Sequence, residues 1–170
     1  MEKRIYLANG LFTIADRKLN EEIYNRLKTE LNGNVEIYAP QFNLVINDKT
    51  KSAPSLPIYR GDTEKLKWAN IVLAVLDGQD LGVATEIGFV SGWNEANIDN
   101  PENQKIIVGI YSDNRDVSLT YSEEKNKDML AKGIAESQYP YINLYTIGAV
   151  KSFGKLFSTV DEALKFIDKI

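Results

Sequence analysis

The chain has 170 residues, of which 44% are hydrophobic and 26% are charged, which predicts one globular domain over residues 1–170 and excludes a disordered chain. Cysteine and histidine are both absent. Their absence excludes disulfides, thiolate nucleophiles, zinc sites built from those residues and catalytic triads that use histidine. The net charge is −4 with no basic stripe, which argues against binding of nucleic acid through its phosphates.

The apolar segments are short. No run approaches the roughly 18 residues that a membrane-spanning helix needs, so we expect no contact with a membrane. The apolar run over residues 5–8 is also too short for the core of a signal peptide. We therefore expect a cytoplasmic protein.

The N-terminal part of the chain predicts a strand followed by a helix. Residues 5–8 form an apolar strand that ends at Asn9 and Gly10. Asp16 is the predicted cap of the helix that follows. The apolar residues that recur there at helical spacing are Leu19, Ile23, Leu27 and Leu31.

The middle of the chain predicts further alternation of strands and helices. Residues 35–38 form the second strand, and the proline-containing stretch 41–60 is predicted to be an irregular surface loop. A short helix is expected over residues 62–69. The unbroken apolar run 71–76 is typical of a central parallel strand, and a helix over residues 80–97 follows it.

The last third of the chain adds two strands and two helices, together with a polar insertion. The predicted elements are a strand over 105–111, a loop over 112–138 with a helix near 129–135, a helix over 143–150, a strand over 155–157 and a final helix opened by Thr159 and Glu162. This alternation predicts an α/β fold, a doubly wound, Rossmann- or flavodoxin-like parallel sheet of five strands with helices on both faces. Ligands of such folds bind beyond the carboxyl ends of the strands.

Two phosphate-binding motifs are absent from the segments that follow the strands. The first loop, residues 9–12, is not the G-x-G-x-x-G of dinucleotide-binding proteins, and no G-x-x-x-x-G-K-[ST] occurs. The sequence therefore supports neither a dinucleotide-binding protein nor a P-loop enzyme.

Glu86 is the most informative carboxylate, because it falls on the apolar side of the helix predicted after the third strand. At 100° per residue, Glu86 lies about 60° and Ile87 about 40° from Val83. The small residue Gly82 leaves room near Glu86 for a ligand. A carboxylate in such surroundings is desolvated and is either functional or paired with a buried Tyr or Lys. Asp80 falls at the N-cap of the same helix, a role compatible with substrate binding.

Several segments, in this order, resemble the nucleoside 2-deoxyribosyltransferase family over roughly residues 4–150. The most specific is D-x-G-x-x-x-E-[IL]-G over residues 80–88, and the run IYLANGLFT over residues 5–13 adds to it. The other matching pieces are Gly61-Asp62, residues 71–76 and Asn143-Leu144.

The resemblance implies an enzyme that moves the 2-deoxyribosyl group of a 2'-deoxynucleoside to a second purine or pyrimidine base with retention. Glu86 would be the nucleophile that attacks C1', and Tyr6 would orient its carboxylate. Asp62 would hold and protonate the leaving base. This chemistry needs no metal and no cofactor, so we expect neither, and the partners would be a deoxynucleoside and a free base.

The resemblance also implies a set of substrate-binding residues. Asp80 would bind a sugar hydroxyl, Phe12 would line the base pocket, and Gly10 and Gly82 would lie next to the substrate. Asn143 would reach into a neighbouring subunit's site to contact the 5'-OH, which implies a homo-oligomer.

Four of these residues also have a purely structural interpretation. Tyr6 and Phe12 could be core aromatic residues, and Asp62 and Asn143 could be helix caps. Two other functions stay open, a glycosidase that cleaves 2'-deoxynucleoside 5'-monophosphates and a nucleoside-binding module without catalysis. The glycosidase is less favoured, because the first loop contains neither the Arg nor the Ser that would hold a phosphate.

Overall fold

The computed structural model describes residues 2–47, 54–113 and 142–170. The strands of the described chain are β1 (Lys3–Ala8), β2 (Val35–Tyr38), β3 (Ile71–Val75), β4 (Ile106–Ile110) and β5 (Gly154–Phe157). All neighbouring strands pair in parallel, and the sheet order is β2-β1-β3-β4-β5. The predicted doubly wound α/β fold with five parallel strands is therefore confirmed.

Six α-helices connect or follow these strands in the described ranges. They are α1 (Ile14–Glu30), α2 (Leu44–Asn47), α3 (Ser55–Trp68), α4 (Leu81–Ala96), α5 (Leu144–Ser152) and α6 (Val160–Lys169), and two short 3-10 helices cover Pro40–Phe42 and Pro101–Asn103. Among the described residues, no helix has the length and apolar character needed to cross a membrane.

The sheet separates two hydrophobic cores, because successive side chains of a strand point to opposite faces. On β1, Ile5 and Leu7 face α1 and α6, whereas Tyr6 and Ala8 face α3, α4 and α5. All four of these side chains are buried. The alternation therefore directs Tyr6 toward the helix that carries Glu86.

The predicted loop over residues 41–60 is wrong in part, because α2 and the first turns of α3 lie within it. The helix predicted over residues 62–69 begins at Ser55 instead. Pro54 is the N-cap of α3, and Pro57 lies in its first turn. Backbone N–H groups in the first turn of a helix have no intrahelical acceptor, so proline, which lacks an N–H, is tolerated there. The prolines mark the start of a helix rather than a break.

The predicted cap of α1 is also wrong in detail. Thr13 is the N-cap, and its hydroxyl accepts a hydrogen bond from the backbone N–H of Asp16. Asp16 lies three residues later, and its carboxylate accepts a hydrogen bond from the backbone N–H of Thr13. The two hydrogen bonds together form a capping box. The loop predicted over 112–138 is described only at residues 112–113, and the helix near 129–135 lies outside the described residues.

Candidate active site

Glu86 and Tyr6 form the centre of the candidate site. Tyr6 comes from β1 and is fully buried, and its hydroxyl donates a hydrogen bond of 2.5 Å to Oε1 of Glu86 on α4. The sequence predicted that a buried Tyr or Lys could be the structural partner of Glu86, and the structure identifies this partner as Tyr6. The core position of Tyr6 is therefore confirmed, and it brings a phenol into contact with the carboxylate.

Burial and neighbouring charges change the protonation of this pair. Burial raises the pKa of Glu86 to about 7, the nearby carboxylates of Asp62 and Asp80 add to the rise, and the hydrogen bond from Tyr6 opposes it. Burial, together with the charges of Glu86 and Asp62, raises the pKa of Tyr6 far above its ordinary value. Tyr6 therefore stays protonated and donates, whereas Glu86 titrates near neutral pH.

Asp62 forms a second carboxylate–phenol pair beside the first. It lies inside α3, so the possibility that it is an N-cap is excluded. Tyr38, the last residue of β2, donates a hydrogen bond of 2.9 Å from its hydroxyl to Oδ1 of Asp62. The rings of Tyr38 and Tyr6 pack with their centroids 5.4 Å apart. The two pairs therefore form one cluster at the carboxyl ends of β1 and β2.

Tyr38 and Asn43 are the site residues that the sequence reasoning missed. The amide nitrogen of Asn43 donates a hydrogen bond of 3.0 Å to the hydroxyl oxygen of Tyr38. The sequence signal that points to them is the end of the second predicted strand, because in a doubly wound sheet the second strand ends near the first.

Asp80 and Gly82 occupy the N-terminus of α4, as the sequence predicted. Oδ1 of Asp80 accepts a hydrogen bond of 3.0 Å from the backbone N–H of Val83, so Asp80 is the N-cap. A Cβ atom at Gly82 would lie 2.8 Å from that same oxygen. Glycine at this position therefore gives the Asp80 carboxylate the space it occupies.

Asn143 is the N-cap of α5, which confirms its structural interpretation. Its side-chain oxygen accepts hydrogen bonds from the backbone N–H groups of Tyr145 and Thr146, at 2.9 and 3.3 Å. Asn143 and Asp80 of the same chain line one cleft of about 250 Å³, together with Thr146. A polar group that enters this cleft would lie between the two helix N-termini.

The loop after β1 carries Gly10 and Phe12. A Cβ atom at Gly10 would come within 3.2 Å of the Asp16 carboxylate. The backbone carbonyl of Gly10 accepts a hydrogen bond from the side chain of Asn20. Phe12 is 67% exposed, so its interpretation as a core residue is wrong. The Phe12 ring therefore lies at the surface, next to the strand ends.

No group of three or more acidic side chains in the described parts of the chain has the arrangement of a metal site. The cluster of Glu86, Asp62 and Asp80 instead contains two phenol donors, Tyr6 and Tyr38. Its residues can supply an ionisable carboxylate, a second carboxyl group beside it, and hydrogen bonds that orient both.

The sequence profile described as nucleoside 2-deoxyribosyltransferase matches residues 5–131, and the chain therefore belongs to this family. The matched range includes Tyr6, Tyr38, Asp62 and Glu86 and ends before Asn143. Nucleoside deoxyribosyl transfer is thus the general activity that family membership supports.

Several solved structures are similar to this chain, and one of them matches it over nearly its whole length. It is described as a conserved protein from Enterococcus faecalis V583, with 32% sequence identity and a TM-score of 0.75, and the match covers 99% of each chain. It supports the fold and names no activity. No curated protein matches the chain.

The raised pKa of Glu86 predicts an effect on stability. Its ordinary pKa is 4.5, so between pH 4.5 and 7 the folded state retains a proton that the unfolded state loses. Stability is therefore lost as the pH rises through this window. We expect Glu86→Gln to raise the free energy of unfolding at pH 8, by up to about 3 kcal/mol, and to change it little at pH 4.

Urea unfolding of both proteins at the two pH values measures this difference. Glu95→Gln, an exposed position on the same helix, is the matched control and should have no comparable effect at either pH. An equal or lower stability of Glu86→Gln at pH 8 would contradict the desolvation of Glu86.

Proposed function

We propose that this chain transfers the 2-deoxyribosyl group of a 2'-deoxynucleoside between purine or pyrimidine bases, through a covalent glycosyl intermediate on Glu86. The observation that carries the proposal is the 2.5 Å hydrogen bond between Tyr6 and Glu86 at the carboxyl end of the sheet, in a member of this family. Such a bond holds one carboxylate oxygen in place and leaves the other to react.

Glu86 is the nucleophile in this proposal. Tyr6 engages Oε1, so Oε2 attacks C1' of the deoxyribose as the bond from C1' to the base breaks. With a pKa of about 7, an appreciable fraction of Glu86 is ionised at neutral pH, and desolvation makes that carboxylate more reactive than one in water. The charge that builds on the sugar in the transition state is positive, which the nearby Asp80 also stabilises.

Asp62 is the proton donor to the leaving base. The electron pair of the C1'–N bond goes to the base, and the proton of the Asp62 carboxyl group goes to a base nitrogen or oxygen. In the second half of the reaction Asp62 takes a proton from the incoming base, whose nitrogen attacks C1' and releases Glu86. The two inversions give overall retention, and no metal or cofactor is required.

The remaining proposed residues bind the substrate. Asp80 holds a sugar hydroxyl, Phe12 covers the base, and Gly10 and Gly82 let the backbone approach the nucleoside. Asn143 contacts the 5'-OH in the site of a neighbouring subunit of a homo-oligomer. Asn143 is the N-cap of α5 and lines a cleft, which supports a role in binding a substrate.

Base exchange tests the proposed function directly. Purified protein is incubated with 2'-deoxyinosine or thymidine and a panel of free bases, and chromatography detects new deoxynucleosides. We expect exchange with 2'-deoxynucleosides and rates at least about 10²-fold lower with ribonucleosides, because a 2'-OH destabilises the oxocarbenium-like transition state.

A parallel incubation with 2'-deoxynucleoside 5'-monophosphates separates the alternatives. Release of free base from the monophosphates without exchange would identify the glycosidase instead. Binding of nucleosides without any turnover would identify a module without catalysis.

Glu86→Gln tests the nucleophile. The amide retains the shape and accepts the hydrogen bond from Tyr6, but it does not form a glycosyl ester. We expect kcat to fall by at least about 10³-fold, which is about 4 kcal/mol of transition-state stabilisation, with binding of the nucleoside largely retained. Glu95→Gln should leave kcat unchanged.

A 2'-fluoro-2'-deoxyarabinosyl nucleoside should trap the intermediate, since fluorine slows both glycosyl steps and a good leaving base restores the first. Peptide mass spectrometry should then find one added sugar on Glu86. A label on another residue, or a Glu86→Gln enzyme within about tenfold of wild type, would leave Glu86 with a structural role only.

Subunit mixing tests Asn143. If Asn143 acts on a neighbouring subunit, a mixture of Asn143→Ala and Glu86→Ala proteins that exchange subunits forms some intact sites. We expect the mixture to recover activity above either parent treated in the same way, measured by base exchange. Without recovery, the assignment of Asn143 to a neighbouring subunit's site is wrong.

A further inference from the structure

We propose that Asn20 of α1 is a positioning residue that joins the loop after β1 to the segment after β2, and that this connection makes the glycosyl intermediate pass its sugar to a base rather than to water. The inference rests on the proposed function, because it concerns the second half of that reaction. It is carried by a network of hydrogen bonds at the carboxyl ends of two neighbouring strands.

Asn20 differs in location from the other buried polar residues of the described chain. Four polar or charged residues are buried there. Lys3 begins β1, Lys105 precedes β4, and Asn94 binds the backbone of Lys105, so these three lie at the amino ends of the strands. Asn20, which is 3% exposed, instead contacts the segments that follow β1 and β2. It is therefore the buried amide on the side of the candidate site.

Both the nitrogen and the oxygen of the Asn20 amide are hydrogen-bonded. Nδ2 donates to the carbonyl oxygen of Gly10 at 3.0 Å and to Oε1 of Gln41 at 2.9 Å. Oδ1 accepts a hydrogen bond of 2.9 Å from Nδ2 of Asn9. An amide nitrogen has two hydrogens, so these contacts use both of them.

Two backbone carbonyl groups fix the direction of these hydrogen bonds. A carbonyl oxygen only accepts, so the carbonyl of Gly10 must face the nitrogen of the Asn20 amide. Nε2 of Gln41 donates to the carbonyl oxygen of Arg17 at 3.2 Å, so Oε1 of Gln41 faces Asn20. The network therefore has one consistent arrangement of donors and acceptors, and an oxygen in place of Nδ2 of Asn20 would break it.

The segments that Asn20 joins border the candidate site. Asn9 and Gly10 come directly after β1, the strand that supplies Tyr6 to Glu86. Gln41 lies in the 3-10 helix after β2, the strand that ends at Tyr38. Loops that follow neighbouring strands of a doubly wound sheet form the walls of its ligand site. Asn20 thus connects two walls of the site from behind.

The side chains of α1 hold the loop after β1 at two carbonyl groups. Asn20 binds the carbonyl of the buried Gly10, and Nη1 of Arg17 binds the carbonyl of Phe12 at the surface. A hydrogen bond at the surface is readily replaced by water, whereas a buried carbonyl that loses its donor stays unpaired at a cost in free energy. Asn20 is therefore the stronger of the two anchors.

The position of this loop matters most when the second base attacks. In that step a base nitrogen or a water oxygen forms the new bond to C1', the ester bond to Glu86 breaks, and the proton of the attacking group passes to Asp62. A base reacts only when its nitrogen is held close to C1' and correctly aligned, whereas water reaches C1' in many orientations. Rigid walls therefore favour transfer to a base, and loosened walls favour hydrolysis.

The test measures how the glycosyl intermediate is divided between base and water. Purified protein is incubated with 2'-deoxyinosine and adenine, or with another pair that wild type exchanges. Chromatography gives the initial rates at which the new deoxynucleoside and free 2-deoxyribose form. Both products come from one intermediate, so their ratio depends neither on the amount of folded enzyme nor on the rate of the first step. The variants are Asn20→Ala, Asn20→Asp and Gln41→Met.

We expect Asn20→Ala to lower the ratio of transfer to hydrolysis by about tenfold, and to raise by the same factor the concentration of base at which the two rates are equal. Asn20→Asp should lose at least as much, because a carboxylate oxygen would face the carbonyl of Gly10. Gln41→Met should lose about threefold, because it retains the hydrogen bond between Asn20 and Gly10.

Asn94→Ala is the matched control. Asn94 is also buried, and its amide forms two hydrogen bonds with the backbone of Lys105, at the opposite end of the sheet. This variant should lower stability and leave the ratio unchanged. An unchanged ratio in the Asn20 variants, or an equal fall in Asn94→Ala, would overturn the positioning role while wild type still exchanges bases.

The remaining outcomes are also decisive. If wild type releases no detectable 2-deoxyribose, its release by the Asn20 variants is the expected result, and its continued absence contradicts the proposal. If neither Asn20 variant folds, the ratio measured for Gln41→Met decides. A wild type that exchanges no base overturns the proposed function itself.

Discussion

The hydrogen bond from Tyr6 to Glu86 is the interaction on which the arrangement of the candidate site depends. It joins an interior strand of the sheet to α4 and supplies a hydrogen-bond donor to a buried carboxylate. Burial and two neighbouring carboxylates still raise the pKa of Glu86 to about 7. The ionised form of Glu86 therefore lowers the stability of the folded protein, as is common for charged groups at reactive sites.

The parallel sheet explains how residues far apart in the chain meet. Strands β1 and β2 are neighbours in the sheet, so Tyr6 and Tyr38 lie side by side. The helices that follow β2 and β3 present Asp62 and Glu86 to them. Each phenol engages one carboxylate. The duplication gives two similar pairs, which in the proposed function perform different tasks, one as nucleophile and one as proton donor.

Much of this organisation was predictable from local patterns. Unbroken apolar runs predicted the central strands, and helical periodicity placed Glu86 on the apolar side of α4. The start of α3 was not predicted, because Pro54 and Pro57 favour both a loop and a helix N-terminus, and only packing of the helix distinguishes them. The cap of α1 was misplaced by three residues for a similar reason, since Thr13 and Asp16 both cap well and take reciprocal roles.

The sequence by itself determined the class of fold, the chemistry available without cysteine or histidine, and the identity of the desolvated carboxylate, because these depend on composition and on the periods of strand and helix. The partners of each carboxylate were decided only by the tertiary structure. Tyr38 contacts Asp62, and Asn43 contacts Tyr38, because of the strand order and the course of the chain after β2. Contacts between such distant segments leave no regular period in a single sequence.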